Sequence, residues 1–173
     1  MSPAAADAEA ARAAFVEEYG LYVERKGRLP RMAGRILAQL LIGEEPHLSQ
    51  AALCEALQAS AGAVSGTLRL LVEAGFVKRV SIPGVRKDFY RLVDDSWGVS
   101  LAHGVEDAQQ FTRIAELGVA SSAYFGALAQ ARLEEMRHLA AISEEHARQL
   151  LDAWQAYKAS HVAPPASGPA APG

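Results

Sequence analysis

A single cysteine, Cys54, in 173 residues leaves no partner for an internal disulfide, which fits a reducing, cytoplasmic setting. No stretch of eighteen apolar residues occurs, so no membrane-spanning helix is expected and a membrane is excluded as partner. The opening "MSPAAADAEAARAAF" carries Asp7 and Glu9, lacks a basic start and has no long apolar core, so it does not read as a secretory leader. Catalytic signatures are missing as well. No triad, phosphate loop or nucleophile elbow can be found, and neither an enzyme nor a cofactor is expected. Glu134 and His138 stand four apart at helical spacing, but no third or fourth ligand follows at a telling distance, so no metal is expected. His103, His146 and His161 read as surface residues.

An overall excess of positive charge is also lacking, since the formal net charge is −3. The distribution is uneven. Residues 21–35 hold Arg25, Lys26, Arg28, Arg31 and Arg35 against Glu24 alone. Residues 60–93 hold Arg69, Lys78, Arg79, Arg86, Lys87 and Arg91 against Glu73 and Asp88. From Asp94 onward acids outnumber bases two to one. Two basic segments beside an acidic remainder suggest a polyanion-binding face on an acidic body.

Apolar periodicity predicts a helix over 8–26, broken by Gly27 and Pro30, and a second over "RMAGRILAQLLIG". Ser49 caps a third, "LSQAALCEALQ", with Leu53 and Leu57 as its apolar stripe. Ser60 caps a fourth, which Gly75 ends. The period then shortens. "FVKRVSIPGVRKDFYRLV" alternates around Val77, Val80, Ile82 and Phe89, with Pro83-Gly84 between two β-prone runs, which predicts a hairpin. Residues 96–160 return to helix, in three segments broken near 118–122 and 142–143.

The fourth helix begins oddly. Ala61, Gly62, Ala63, Ser65 and Gly66 are almost without side chains, and each helix-interior glycine costs roughly 1 kcal/mol relative to alanine. Two short helices across a tight turn, followed by a basic hairpin, make a winged helix-turn-helix, whose second helix enters the major groove of double-stranded DNA. Val64, Leu68, Leu71 and Val72 are expected to face the core. Ala61, Gly62, Ser65, Gly66 and Arg69 then face outward, and their bareness lets the backbone approach DNA. Ser60, Ser65, Thr67 and Arg69 are the expected recognition-helix contacts, with Arg69 alone able to pair bidentately with guanine. Arg86 and Lys87 at the wing tip are expected on the minor groove or backbone. Arg31 and Arg35 either clamp phosphates or pair with acids on a partner subunit. The rival reading is a protein-interaction module that keeps the fold without specific DNA binding; the bare surface suits it and the basic segments oppose it.

The segments "LPRMAGRILAQLLI", "LSQAALCEALQASAGAVSGTLRLLVEAGFVKRV" and "PGVRKDFYRL", with "DDSW" after the wing and "RLEEMR" at 132–137, resemble the GbsR-like branch of the MarR family of bacterial transcriptional regulators. The resemblance spans roughly residues 15–158. It implies a cytoplasmic homodimer, joined through N- and C-terminal helices, that acts as a repressor on a pseudo-palindromic operator and answers a small-molecule effector. Two positions depart from the pattern: Gln58 stands where a turn glycine is common, and Gly66 where a larger polar or basic residue is common.

The fold expected is mainly α with a small β-hairpin wing, a winged helix-turn-helix within a helical dimerisation frame. Residues 1–14 are expected as a flexible tail overlapping the first helical turns, 15–43 as supporting helices, 44–95 as the DNA-binding domain, 96–160 as the dimerisation region and 161–173 as a disordered tail. Cys54 reads as packing rather than as a redox sensor. Most aromatic residues read as core and dimer contacts; Tyr19, Tyr22 and Trp97 are the candidates for touching an effector.

Overall fold

The computed structural model describes residues 3–161, so most of the expected disordered tail, 162–173, lies outside the described residues. Helix α1 (Pro3–Arg25) starts earlier than the periodicity suggested. Residues 3–14 are helical where a flexible tail was expected, because alanine, the strongest helix former, fills eight of these twelve positions. Gly27, at φ 78°, lets the chain leave α1. Pro30 then precedes α2 (Arg31–Leu41), where its missing N–H costs nothing.

The chain divides into two compact units at the Ser96–Trp97 bond. In the first, α1 lies tightly on α2. A Cβ on Gly34 would stand 2.7 Å from Gly20 Cα and 2.9 Å from the Tyr19 carbonyl oxygen, so only glycine permits this approach. Helix α2 buries Ala33, Ile36, Leu37 and Ala38 against Leu53 and Leu57 of α3 (Gln50–Leu57) and Val64, Leu68 and Leu71 of α4 (Ala61–Glu73). A sheet of order β1-β3-β2 completes the unit. Strands β2 (Val77–Ser81) and β3 (Asp88–Leu92) form the expected hairpin. The short β1 (Leu48–Ser49) was not expected; it pairs Leu48 with Tyr90 and Ser49 with Phe89.

The second unit holds the rest of α5 (Ser96–Ala120), a 3₁₀ turn (Ser122–Tyr124) and α6 (Ala127–His161). The predicted break at 142–143 is absent. Ser143 turns its hydroxyl back to the Leu139 carbonyl at 2.8 Å, which satisfies it inside the helix. The Thr112 hydroxyl reaches Glu144 at 2.6 Å, and Leu133 sits 2.7 Å from where a Cβ on Gly118 would be, so these pairs join α5 to α6. Among its described hydrophobic residues the unit buries only Ala115 and Ala140. Leu117, Leu128, Leu139, Ile142 and Leu150 are all more than half exposed. Among the described residues no helix is long and apolar enough to cross a membrane.

Candidate nucleic-acid interface

The helix-turn-helix is α3, a turn at 58–60, and α4. The Ser49 hydroxyl caps α3 by accepting from the Ala52 N–H at 3.1 Å, and Ser60 caps α4 by accepting from Ala63 at 3.3 Å. Between them Gln58 takes the left-handed conformation, φ 49° and ψ 45°, alone among the described non-glycine residues. The turn therefore keeps the geometry a glycine would serve and strains Gln58, at about 1–2 kcal/mol. Its amide remains satisfied, donating to the Glu55 carbonyl at 3.2 Å. Gln50 opens α3 and donates from its side-chain amide to the Ala61 carbonyl at 3.3 Å, which ties the starts of the two helices together. Helix α4 ends in a Schellman motif: Phe76 N–H meets the Leu71 carbonyl at 3.0 Å and Gly75 N–H that of Val72 at 3.1 Å, with Gly75 at φ 77°.

The faces of α4 differ from expectation at two residues. Val72, expected in the core, is 40% exposed. Thr67, expected to touch DNA, is 9% exposed and donates its hydroxyl to the Ala63 carbonyl at 2.8 Å. At about 100° per residue, measured from the centre of Val64, Leu68 and Leu71, Thr67 lies about 65° to one side and Val72 about 75° to the other, so both are edge positions of the stripe. Opposite that stripe stand Gly62, Gly66 and Arg69. A Cβ built on either glycine meets nothing within 4 Å, so no packing within the chain requires them bare. Ser60 and Arg69 are exposed, and Ser65 is half-buried.

In the wing, Val85 N–H closes a turn onto the Ile82 carbonyl at 3.1 Å, with Gly84 at φ 82° behind Pro83, as in a type II turn. The basic residues of the wing fall into two groups. Arg79 pairs with Asp88 at 2.7 Å, and Asp94 holds both Arg91, at 2.6 Å, and Lys78, at 3.4 Å. The hydrogen bond from Arg91 is the main cause that lowers the Asp94 pKa. Arg86 and Lys87 are exposed, and neither they nor Arg69 make an ion pair among the described residues.

Arg31 and Arg35 are brought together on an acid of their own chain, Glu17 of α1. Arg31 Nη2 lies 2.5 Å from Glu17 Oε2, and Arg35 Nε 2.6 Å from Oε1, the latter an ion contact without an aligned hydrogen bond. The hydrogen bond from Arg31 pulls the Glu17 pKa down, burial opposes it, and the Arg35 charge adds to the lowering. Sequence spacing could not show this acid, which lies 14 residues from Arg31 on another helix. Tyr19 is half-buried beside Phe15 and Tyr22, and burial, then Tyr22, raises its pKa. Tyr22 is 49% exposed, with Lys26 Nζ 5.4 Å from its ring centre. Trp97 begins the second unit and is 43% exposed. A cleft of about 650 Å³ in the first unit is walled by Glu9, Arg12, Glu17, Arg35, Glu44 and Gln58, among others; Tyr19 and Tyr22 are not part of its wall. Among the described residues no three His, Cys, Asp or Glu side chains gather to hold a metal, and the Glu134 carboxylate holds Arg137 at 2.7 Å.

Known proteins share this architecture. The MarR family model matches residues 29–88, from the start of α2 to the wing. The HTH-type transcriptional regulator MmpR5 of Mycobacterium tuberculosis is 32% identical over 130 residues, which cover 75% of this chain and 78% of that protein. A crystal structure of a transcriptional regulator superposes with a TM-score of 0.68 at 29% identity, covering 84% of this chain and 98% of that one. With its turn and capped second helix in the matched region and the three-stranded sheet built from that region and the strand after it, the chain belongs to the MarR family of winged-helix transcriptional regulators.

Proposed function

We propose that this chain is a homodimeric, cytoplasmic repressor that lays α4 in the major groove of a pseudo-palindromic operator and sets its wing tip on the flanking backbone or minor groove. The observation that carries the reading is the open space over Gly62 and Gly66. Gly66 is a costly helix-interior glycine and Gly62 lies in the first turn; with no internal contact to serve, both are explained by a surface that must approach closely from outside. Exposed Arg69 stands on the same face, and Arg86 and Lys87 add unpaired positive charge on the wing.

In this reading Arg69 reads a base, Ser60 and Ser65 hydrogen-bond at the helix start, and Arg86 and Lys87 meet phosphates or a narrow minor groove. Thr67 is left out because its hydroxyl is spent inside the helix. The exposed leucines of α5 and α6 support the dimer, since the second unit has almost no core without a partner. The "LPRMAGRI" and "PGVRKDFY" segments are what supports a GbsR-like branch, and with it an effector touched by Tyr19, Tyr22 or Trp97.

Selection from random duplexes tests the reading. It should enrich a pseudo-palindrome with half-sites about one helical turn apart, ~34–36 Å. Retention with no sequence enrichment would contradict operator recognition, and no retention of any duplex even at low salt would favour an interaction module.

A further inference from the structure

We propose that Arg35 is a positioning residue for the helix-turn-helix, and that through Glu17 it makes the geometry of the turn answer to helix α1. This inference rests on the DNA-binding reading above. Leu57 is the last residue of α3, and its carbonyl stands immediately before the left-handed Gln58. Arg35 Nη2 donates to that carbonyl at 2.9 Å, while Nε of the same guanidinium faces Glu17 Oε1 at 2.6 Å. Glu17 Oε2 in turn accepts from Arg31 at 2.5 Å. The stem of Arg35 is confined as well, for its Cγ lies 2.8 Å from where a Cβ on Gly20 would be.

One planar fork thus bridges a carboxylate on α1 and the terminal carbonyl of α3, across α2. The helix-terminal carbonyl has no intrahelical donor and needs an outside one. A strained αL residue persists only where its surroundings hold it, and the Arg35 bond is placed beside that residue. Lysine carries the same charge on a single nitrogen and cannot reproduce a fork with fixed donor directions. Because the guanidinium is spent inside the first unit, Arg35 has little left to offer a phosphate. A movement of α1 that carried Glu17 away would loosen the turn and with it the angle of α4.

The test uses full-length protein with Arg35→Lys and Glu17→Gln, an operator found by selection, a scrambled duplex and a salt series. Arg35→Lys should weaken operator binding on the order of tenfold, leave scrambled binding nearly unchanged, and keep the slope of log K against log salt. Glu17→Gln should do the same to a smaller degree. In both free variants the Ala59 amide, which bonds the Cys54 carbonyl across the turn at 3.0 Å, should exchange with deuterium faster than in the wild type. Equal losses on both duplexes from Arg35→Lys, or a slope flatter by about one for a charge-removing Arg35→Gln variant in the same series, would make Arg35 a phosphate contact and overturn the proposal. So would unchanged Ala59 exchange in both variants of a protein that binds its operator. Wild-type protein that holds neither duplex would instead overturn the DNA-binding reading itself.

Discussion

The two basic segments carry the same net charge by count, yet the fold spends them differently. In residues 21–35, Arg31 and Arg35 converge on Glu17, Lys26 lies over the ring of Tyr22, and Arg28 is engaged as well. In residues 60–93, Lys78, Arg79 and Arg91 on the wing strands are paired with Asp88 and Asp94, but Arg69, Arg86 and Lys87 stay open. A charge count along the chain measures how much cation is present; only the fold determines how much faces outward. On this account the first segment braces the helix-turn-helix and the second one meets DNA.

The sharpest way to break that division is Arg69→Ala. It should cost on the order of 1–3 kcal/mol on the operator and relax the preference at one base pair per half-site, measured by competition with single-base operator variants. A uniform loss on every variant would show that α4 reads nothing through Arg69. Gly66→Ala tests the bare surface next to it, with effects of opposite sign on two measurements. The added methyl meets nothing within the chain, so thermal unfolding should shift up by about 2–4 °C. Operator affinity should fall by about tenfold if the backbone approaches the bases there. A more stable protein with unchanged affinity would remove Gly66 from the interface.

A smaller effect concerns the brace. Glu17 has a folded pKa held below its ordinary carboxyl value, chiefly by Arg31. Its contribution to stability is therefore present above the unfolded pKa, near 4.5, and is lost as pH falls through the depressed folded value. Its side chain is 38% exposed, so solvent screening keeps the contribution below about 1 kcal/mol. Glu17→Gln should flatten the acid limb of stability against pH by that amount, and leave stability above pH 6 lower than in the wild type. Chemical denaturation at pH 3 and pH 7 measures both.

Local rules carried much of the fold. Ser49, Ser60, Gly75 and Pro83-Gly84 act as sequence signs of caps and turns, and each does its expected work because capping and turn formation involve only neighbours within a few residues. What escaped is of two kinds. Long-range pairings left no local sign: β1 is two residues long and exists only through its partner β3, and Glu17 meets Arg31 and Arg35 from a different helix. Edge positions of an amphipathic helix were the other kind. Thr67 and Val72 flank the apolar stripe of α4 on opposite sides, where hydrophobicity alone argued for exchanging them, yet the fold buries Thr67 and leaves Val72 exposed. The candidate site residues divide in the same way, since Arg86 and Lys87 follow a turn readable from Pro83-Gly84, whereas the partners of Arg31 and Arg35 depend on Glu17.

The central claim, that α4 and the wing form the electrostatic face while the first segment does not, is tested most directly by salt slopes. Binding of wild type, Arg86→Ala and Arg31→Ala to one operator duplex would be measured across a salt series. The account predicts that Arg86→Ala flattens the slope of log K against log salt by about one, and that Arg31→Ala leaves it at the wild-type value. A flattened slope for Arg31→Ala beside an unchanged one for Arg86→Ala would contradict it.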